Sequence, residues 1–184
     1  MFALAAFLED ANAPAERLVI IGGSALLALG LVFRTTKDVD ILANYDPESG
    51  LVDARPMSRT LQAAALKVAT ELRLDPHWLN LGPASQMDTG LPEGFEQRLV
   101  KREYGPSLTI YLPDRLDLIH LKLFAIIDQG PGRHVNDFLA LSPTEDEVLQ
   151  AARWVLGQDA SEVFPSLVKN ALSELGYGQL SDRL

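Results

Sequence analysis

The sequence contains no cysteine. That excludes a disulfide scaffold, thiol catalysis and any cysteine-ligated zinc or iron–sulfur site. Histidine is almost as scarce, and its three copies, His77, His120 and His134, are scattered, which argues against a histidine-built metal cage. Basic side chains are outnumbered, 16 against 25 acidic ones, for a net charge of −9. Proteins that coat nucleic acid nonspecifically are normally basic, because phosphate contacts supply most of that affinity. A broad nucleic-acid footprint is therefore not expected, whereas an enzyme that touches one nucleic-acid end, a small molecule or a protein remains compatible. Long apolar runs are also missing. The longest uncharged stretch, Leu18 to Phe33, has 16 residues and is interrupted by Gly22, Gly23 and Gly30, short of the roughly 20 a spanning helix needs. Met1 to Leu8 is apolar and Ala11-Asn12-Ala13 mimics a processing site, but a secretory signal needs a positive n-region. The first charges here are Glu9 and Asp10. A short amphipathic helix and a cytoplasmic protein are expected.

What is present is ordinary globular material: 184 residues, 47% hydrophobic and 22% charged. Patterning along the chain predicts a helix over 2–12 and a short buried strand at Leu18–Ile21. Gly22-Gly23 breaks that strand, and Ser24 opens a helix that Gly30 ends. Val39–Leu42 is the next strand, Asn44 to Pro56 a polar loop, and 57–72 a helix with Leu61, Ala64, Ala65, Val68 and Leu72 on one face. Trp78–Leu81 reads as a short extended segment and Gly82–Gly94 as a surface loop. Gln97–Glu103 and Leu108–Leu112 alternate like two strands joined at Gly105-Pro106. Pro113-Asp114 opens a helix to about Asp128. Further helices are expected at about 134–141, 144–157 and 160–175. The fold class is α/β (α+β), a mixed β-sheet flanked by helices with C-terminal helices. A core over residues 1–142 and a helical extension over 143–184 are expected.

The local chemistry concentrates in two short runs. A glycine turn opening a helix, Gly22-Gly23-Ser24, presents backbone N–H groups to a phosphate. Asp38 and Asp40 stand two apart at a strand, so their side chains point the same way and can ligate one hard cation or bridge two. Magnesium held by a carboxylate pair and triphosphate oxygens is a usual arrangement for phosphoryl transfer. Each run alone is ordinary, a tight turn and a solvated strand end. Together, within strand, turn, helix, strand, they point to a metal–nucleotide site. Arg34 and Lys37 flank the acidic pair, placed either to contact phosphate or to balance its charge. The Gly-x-Gly-x-x-Gly spacing of a dinucleotide-binding turn is missing.

These runs, Ile20-Ile21-Gly22-Gly23-Ser24 and Asp38-Val39-Asp40-Ile41 after thirteen intervening residues, resemble the signature of the polymerase-β-type nucleotidyltransferase superfamily. Ile20 to Leu26 together with Arg34-Thr35-Thr36-Lys37-Asp38-Val39-Asp40 is similar to the AbiEii-toxin-like branch, as are Lys122 on a downstream helix and Arg133 followed by Asp137. The resemblance covers roughly residues 18–42 and 112–141. It implies a minimal nucleotidyltransferase fold and transfer of an NMP from an NTP to a hydroxyl acceptor, with Mg²⁺ or Mn²⁺ as cofactor. Asp38 and Asp40 would be metal ligands and catalytic. Gly22, Gly23, Ser24, Arg34, Thr36 and Lys122 would hold the nucleotide, with Asp137 orienting Lys122 or assisting catalysis. The acceptor would be an RNA end or a protein, and an antitoxin partner would fit a toxin-like member; no membrane is implied.

The superfamily also uses a third carboxylate in a hydrophobic–acid–hydrophobic setting on a later strand. Leu116-Asp117-Leu118 fits those letters but falls at a helix start, where Asp117 can equally serve the helix dipole. The alternative is therefore an inactive nucleotide-binding or interaction module on the same fold. A lysine in Lys122's position ordinarily snorkels to solvent. His120 reads as a partly buried helix residue, and Trp78 as packing against an apolar neighbour. Arg98, Lys101 and Arg102 read as a solvated strand face.

Overall fold

The computed structural model describes residues 1–184, which divide into two compact units, Met1–Pro113 and Asp114–Leu184. The first unit opens with α1 (Phe2–Asp10), whose Leu4, Ala5 and Leu8 are buried. β1 (Glu16–Ile21) follows, and its last four residues, Leu-Val-Ile-Ile, are all buried. Sinking each such side chain contributes about 1.5–3 kcal/mol, which is why this run anchors the sheet. The chain turns at Gly22 into the short α2 (Gly22–Ala28). It then returns as β2 (Val39–Asp46), which folds back as β3 (Gly50–Val52). A helix α3 (Arg59–Leu72) starts where Ser58 accepts the Leu61 N–H, a cap worth about 1 kcal/mol. Beyond it come β4 (Leu79–Asn80), the single turn α4 (Gln86–Thr89), β5 (Val100–Glu103) and β6 (Leu108–Leu112).

The six strands form one mixed sheet in the order β3-β2-β1-β6-β5, with β4 also on β2. β1 runs antiparallel to β2 and parallel to β6, while β4 runs parallel to β2. A bulge interrupts the β1–β2 ladder: Val19 faces Ala43 but Ile20 faces Ile41, leaving Leu42 as the extra residue. Past the bulge, Ile21 stands opposite Asp40. α1 packs on α3, and the Trp78 indole N–H, buried beneath α3, donates to the Ala65 carbonyl at 3.0 Å.

The second unit is helical: α5 (Arg115–Gln129), α6 (Gly132–Ala140), α7 (Glu145–Leu156) and α8 (Phe164–Glu174). Asp114 caps α5 by accepting the Asp117 N–H at 2.9 Å. Thr144 and Glu147 form a reciprocal capping box at α7. The core of this unit is Leu118, Ile119, Leu123, Phe138, Val148, Val155 and Leu172.

A mixed sheet flanked by helices with helices at the C-terminus is the expected architecture. The polar run 44–56 differs from its reading as a loop. Residues up to Asp46 extend β2, and Gly50–Val52 pair back on it. The Asp46 carboxylate closes the turn between them by accepting from Ser49 and Glu48. The stretch before β5 also differs: Glu96–Arg98 is a 3₁₀ turn, so the strand begins at Val100. No helix is long and apolar enough to cross a membrane.

Candidate functional site

The glycine turn, the loop before β2 and the first residues of β2 come together in the first unit. Gly22 has φ +75°, a left-handed conformation, and a Cβ there would collide with Oδ2 of Asp40. Both facts require glycine, one through the backbone and one through the space the carboxylate takes. At Gly23 an added Cβ would lie 3.0 Å from Nη2 of Arg34 and 3.3 Å from Oγ1 of Thr36. The Arg34 guanidinium therefore lies across the Gly23 backbone, and Thr36 stands beside it. Gly22, Gly23, Arg34, Thr36 and Asp40 thus share one locus, with Asp38 immediately before β2.

Several hydroxyls there are already engaged. The Ser24 hydroxyl donates to the Ile21 carbonyl at 3.1 Å, closing the turn out of β1. The Thr36 hydroxyl donates to the Asp38 carbonyl at 3.1 Å, fixing the backbone that presents Asp38. The two side chains shape the turn and the entry to β2.

Asp40 is held by a residue the sequence reading did not single out. Asn80 on β4 stands beside Asp40 in the parallel ladder, and its Nδ2 donates to Asp40 Oδ1 at 3.0 Å. The Asn80 Oδ1 in turn accepts the Gly82 N–H at 2.8 Å. The readable signal was Leu79-Asn80-Leu81, a polar residue between two apolar ones just after the Asp75-Pro76 break. Its partner, however, lies forty positions away.

Carboxylate oxygens of Asp38 and Asp40 are hard donors suited to Mg²⁺ or Mn²⁺. No group of three or more His, Cys, Asp or Glu that could hold a metal ion is gathered in the chain. A cation held by these two carboxylates would take its remaining positions from other oxygens, such as those of phosphate and water. Asp117 does not sit on a strand: it is the third residue of α5, fully buried in the second unit. A pocket of about 220 Å³ in the first unit is lined mainly by apolar residues, among them Ile20, Val39, Ile110 and Leu112. Ser24 and Thr36 line it as well, so the pocket adjoins the glycine turn, while strand alternation puts Val39 on the opposite face from Asp40.

In the second unit, Lys122 Nζ donates to Asp137 Oδ2 at 2.7 Å, with the two side chains 6% and 1% exposed. The lysine does not snorkel; α5 and α6 bury it against the acid. His120 is buried on the same helix, its Nδ1 2.7 Å from the Leu116 carbonyl and its ring edge-on to Trp154. On β5 all four residues are exposed, and Lys101 pairs with Glu103 at 2.6 Å. That is a charged edge strand, of the kind that discourages pairing with other chains.

Comparison with curated proteins and with solved structures gave no match. A family model does match: over residues 1–131, from α1 through α5 and so across the whole glycine-turn and carboxylate locus, the sequence fits the description "Nucleotidyltransferase of unknown function (DUF6036)". The chain belongs to that nucleotidyltransferase family.

Proposed function

We propose that the chain transfers a nucleoside monophosphate from an NTP to a hydroxyl acceptor in a reaction that needs Mg²⁺ or Mn²⁺. The observation that carries this reading is the seating of the Asp40 carboxylate over Gly22, beside a turn whose next residue, Gly23, lies under the Arg34 guanidinium. A carboxylate and a guanidinium meeting at one glycine turn support that reading. A bound divalent cation would supply charge neutralisation at the α-phosphate and at the leaving pyrophosphate.

The chain's own residues do the rest. Asp38 and Asp40 hold the cation. Arg34 meets the triphosphate with a planar fork of donors, and the Gly22-Gly23 backbone lets the phosphates approach closely. Ser24 and Thr36 keep the turn and the strand entry in shape. The acceptor oxygen forms a bond to the α-phosphorus, the bond from that phosphorus to the bridging oxygen breaks, pyrophosphate leaves and the hydroxyl proton passes to water. An RNA end or a protein hydroxyl fits as acceptor. The Arg34-Thr35-Thr36-Lys37-Asp38-Val39-Asp40 run supports kinship with the AbiEii-toxin-like branch.

The test is label transfer from [α-³²P]NTPs with Mg²⁺, using total RNA and the protein itself as acceptors. The expected result is transfer by wild type and none by Asp38→Asn or Asp40→Asn, with folding unchanged by circular dichroism. Transfer that persists in both variants overturns the mechanism. A second reading, nucleotide binding without turnover, draws on Asp117 lying at the start of a helix and not on a strand. It predicts Mg²⁺-dependent NTP binding, lost in the same variants, and no labelled acceptor.

A further inference from the structure

Asn80 does more than extend β4. Its amide is held at both ends: Oδ1 accepts the Gly82 N–H at 2.8 Å, and Nδ2 donates to Asp40 Oδ1 at 3.0 Å. The Gly82 bond settles which way the amide faces, because only the oxygen can accept that N–H. The nitrogen must therefore point at Asp40. On its other side Asp40 is bounded by Gly22, where Oδ2 takes the space a Cβ would need. One carboxylate oxygen is thus tied to Asn80 and the other is set over the glycine turn.

We propose that Asn80 is the positioning residue of the metal site: it orients Asp40 so that one oxygen is presented to the cation. The inference rests on the nucleotidyltransferase reading above. A hydrogen bond to a ligating carboxylate fixes its orientation, and losing such a partner typically costs about 10–100-fold in metal affinity. Asn80 is also a neutral donor beside a carboxylate. The site presents two negative charges where an acid at this position would present three, and the number of charged ligands tunes affinity for hard cations. Asn80→Asp keeps an oxygen for the Gly82 N–H and turns the other toward Asp40 as a further ligand. It should bind the cation more tightly than wild type. Gly82 offers a second lever, since a Cβ there would lie 2.9 Å from Asn80 Oδ1 and push the amide off its seat.

The experiment is Mn²⁺ binding followed by electron paramagnetic resonance, with and without each of the four α,β-methylene nucleoside triphosphates, alongside thermal melting. Wild type, Asn80→Ala, Asn80→Asp, Gly82→Ala and Asp40→Asn are compared. The expected result is weaker Mn²⁺ binding with analogue, by about 10–100-fold in Asn80→Ala and in the same direction in Gly82→Ala. Asn80→Asp should bind free Mn²⁺ more tightly. If Asn80 only holds β4 in the sheet, Asn80→Ala and Gly82→Ala lower the melting temperature and leave Mn²⁺ affinity unchanged, which overturns the proposal alone. If wild type binds no Mn²⁺ with any analogue, or Asp40→Asn binds as well as wild type, the nucleotidyltransferase reading falls and the proposal falls with it.

Discussion

The carboxylate of Asp40 occupies the space that a side chain on Gly22 would need. The glycine turn and the acidic strand, separate runs in the sequence, are therefore one object in space: the turn needs glycine because the strand's acid takes the side-chain space. Ile21 and Asp40 stand opposite each other just past the β1–β2 bulge, and that register delivers the carboxylate to the turn.

Substituting Gly22 tests this coupling, and Gly30 supplies the control. Both have positive φ, +75° and +73°, but a Cβ on Gly30 meets nothing within 4 Å. Gly30→Ala should cost only the backbone strain, about 1–2 kcal/mol, and keep metal-dependent NTP binding. Gly22→Ala should melt lower than Gly30→Ala and lose that binding, because Asp40 must move. Calorimetry and nucleotide titration on the two variants check this, and equal behaviour would break the link between turn and carboxylate.

Arg34 lies across Gly23, and the proposed function gives it the triphosphate. Charge-assisted hydrogen bonds contribute about 1.5–3 kcal/mol, so Arg34→Gln should weaken NTP binding about 10–100-fold. Mn²⁺ binding without nucleotide should not weaken, since a guanidinium can only repel the cation. Unchanged NTP affinity would assign Arg34 to charge balance.

The legible parts of this fold are those whose signal is local. β1 announces itself by four consecutive apolar residues, and the helices by their apolar spacing and by caps such as Ser58, Asp114 and Thr144. β3 escaped because three residues in a polar run carry no periodicity; it exists by pairing with Asn44–Asp46. Asn80 escaped for the same reason, since β4 is two residues long and is defined by its neighbour β2. Asp117 shows the converse. Its flanking leucines imitate a strand, but Pro113-Asp114 sets a helix start, and the Asp114 cap decides the matter. The burial of Lys122 was not legible from its own helix; only the resemblance paired it with Asp137, which lies on the next helix.

That buried pair gives its own prediction. Lys122→Met leaves the Asp137 carboxylate in the core without its ammonium partner at 2.7 Å. Breaking a buried pair from one side costs about 3–5 kcal/mol, whereas replacing both partners with apolar residues is often neutral. Lys122→Met and Asp137→Leu should each unfold at clearly lower urea concentration, and the double variant should recover most of the loss. Transfer activity should not return with stability, in keeping with the nucleotide role the resemblance gives Lys122. Full activity in the refolded double variant would make the pair purely structural.

Arg115 and Glu147 make the stability of the helical unit depend on pH. Arg115 donates to Glu147 through Nη1 at 2.6 Å and Nη2 at 3.1 Å. Its Nε and Nη2 also bond the Leu141 and Ser142 carbonyls, so one side chain ties the start of α5 to the turn before α7. The guanidinium, aided by the Thr144 N–H, holds the Glu147 carboxyl down to about 2. A carboxyl lowered on folding stabilises the native state above its ordinary value near 4.5 and loses that contribution as the pH falls through about 2. The side chains are 37% and 24% exposed, so solvent screening reduces the effect to about 1 kcal/mol, or about 2–4 °C in melting temperature for a chain of this size. Glu147→Gln keeps one oxygen for the Thr144 N–H but removes the charge and one of the two acceptors of the Arg115 fork. It should melt about 2–4 °C below wild type at pH 7, and the gap should narrow below about pH 4.5 and close toward pH 2. Melting curves across that range check it, and a gap that stays constant down to pH 2.5 would show that the pair contributes nothing through its charge.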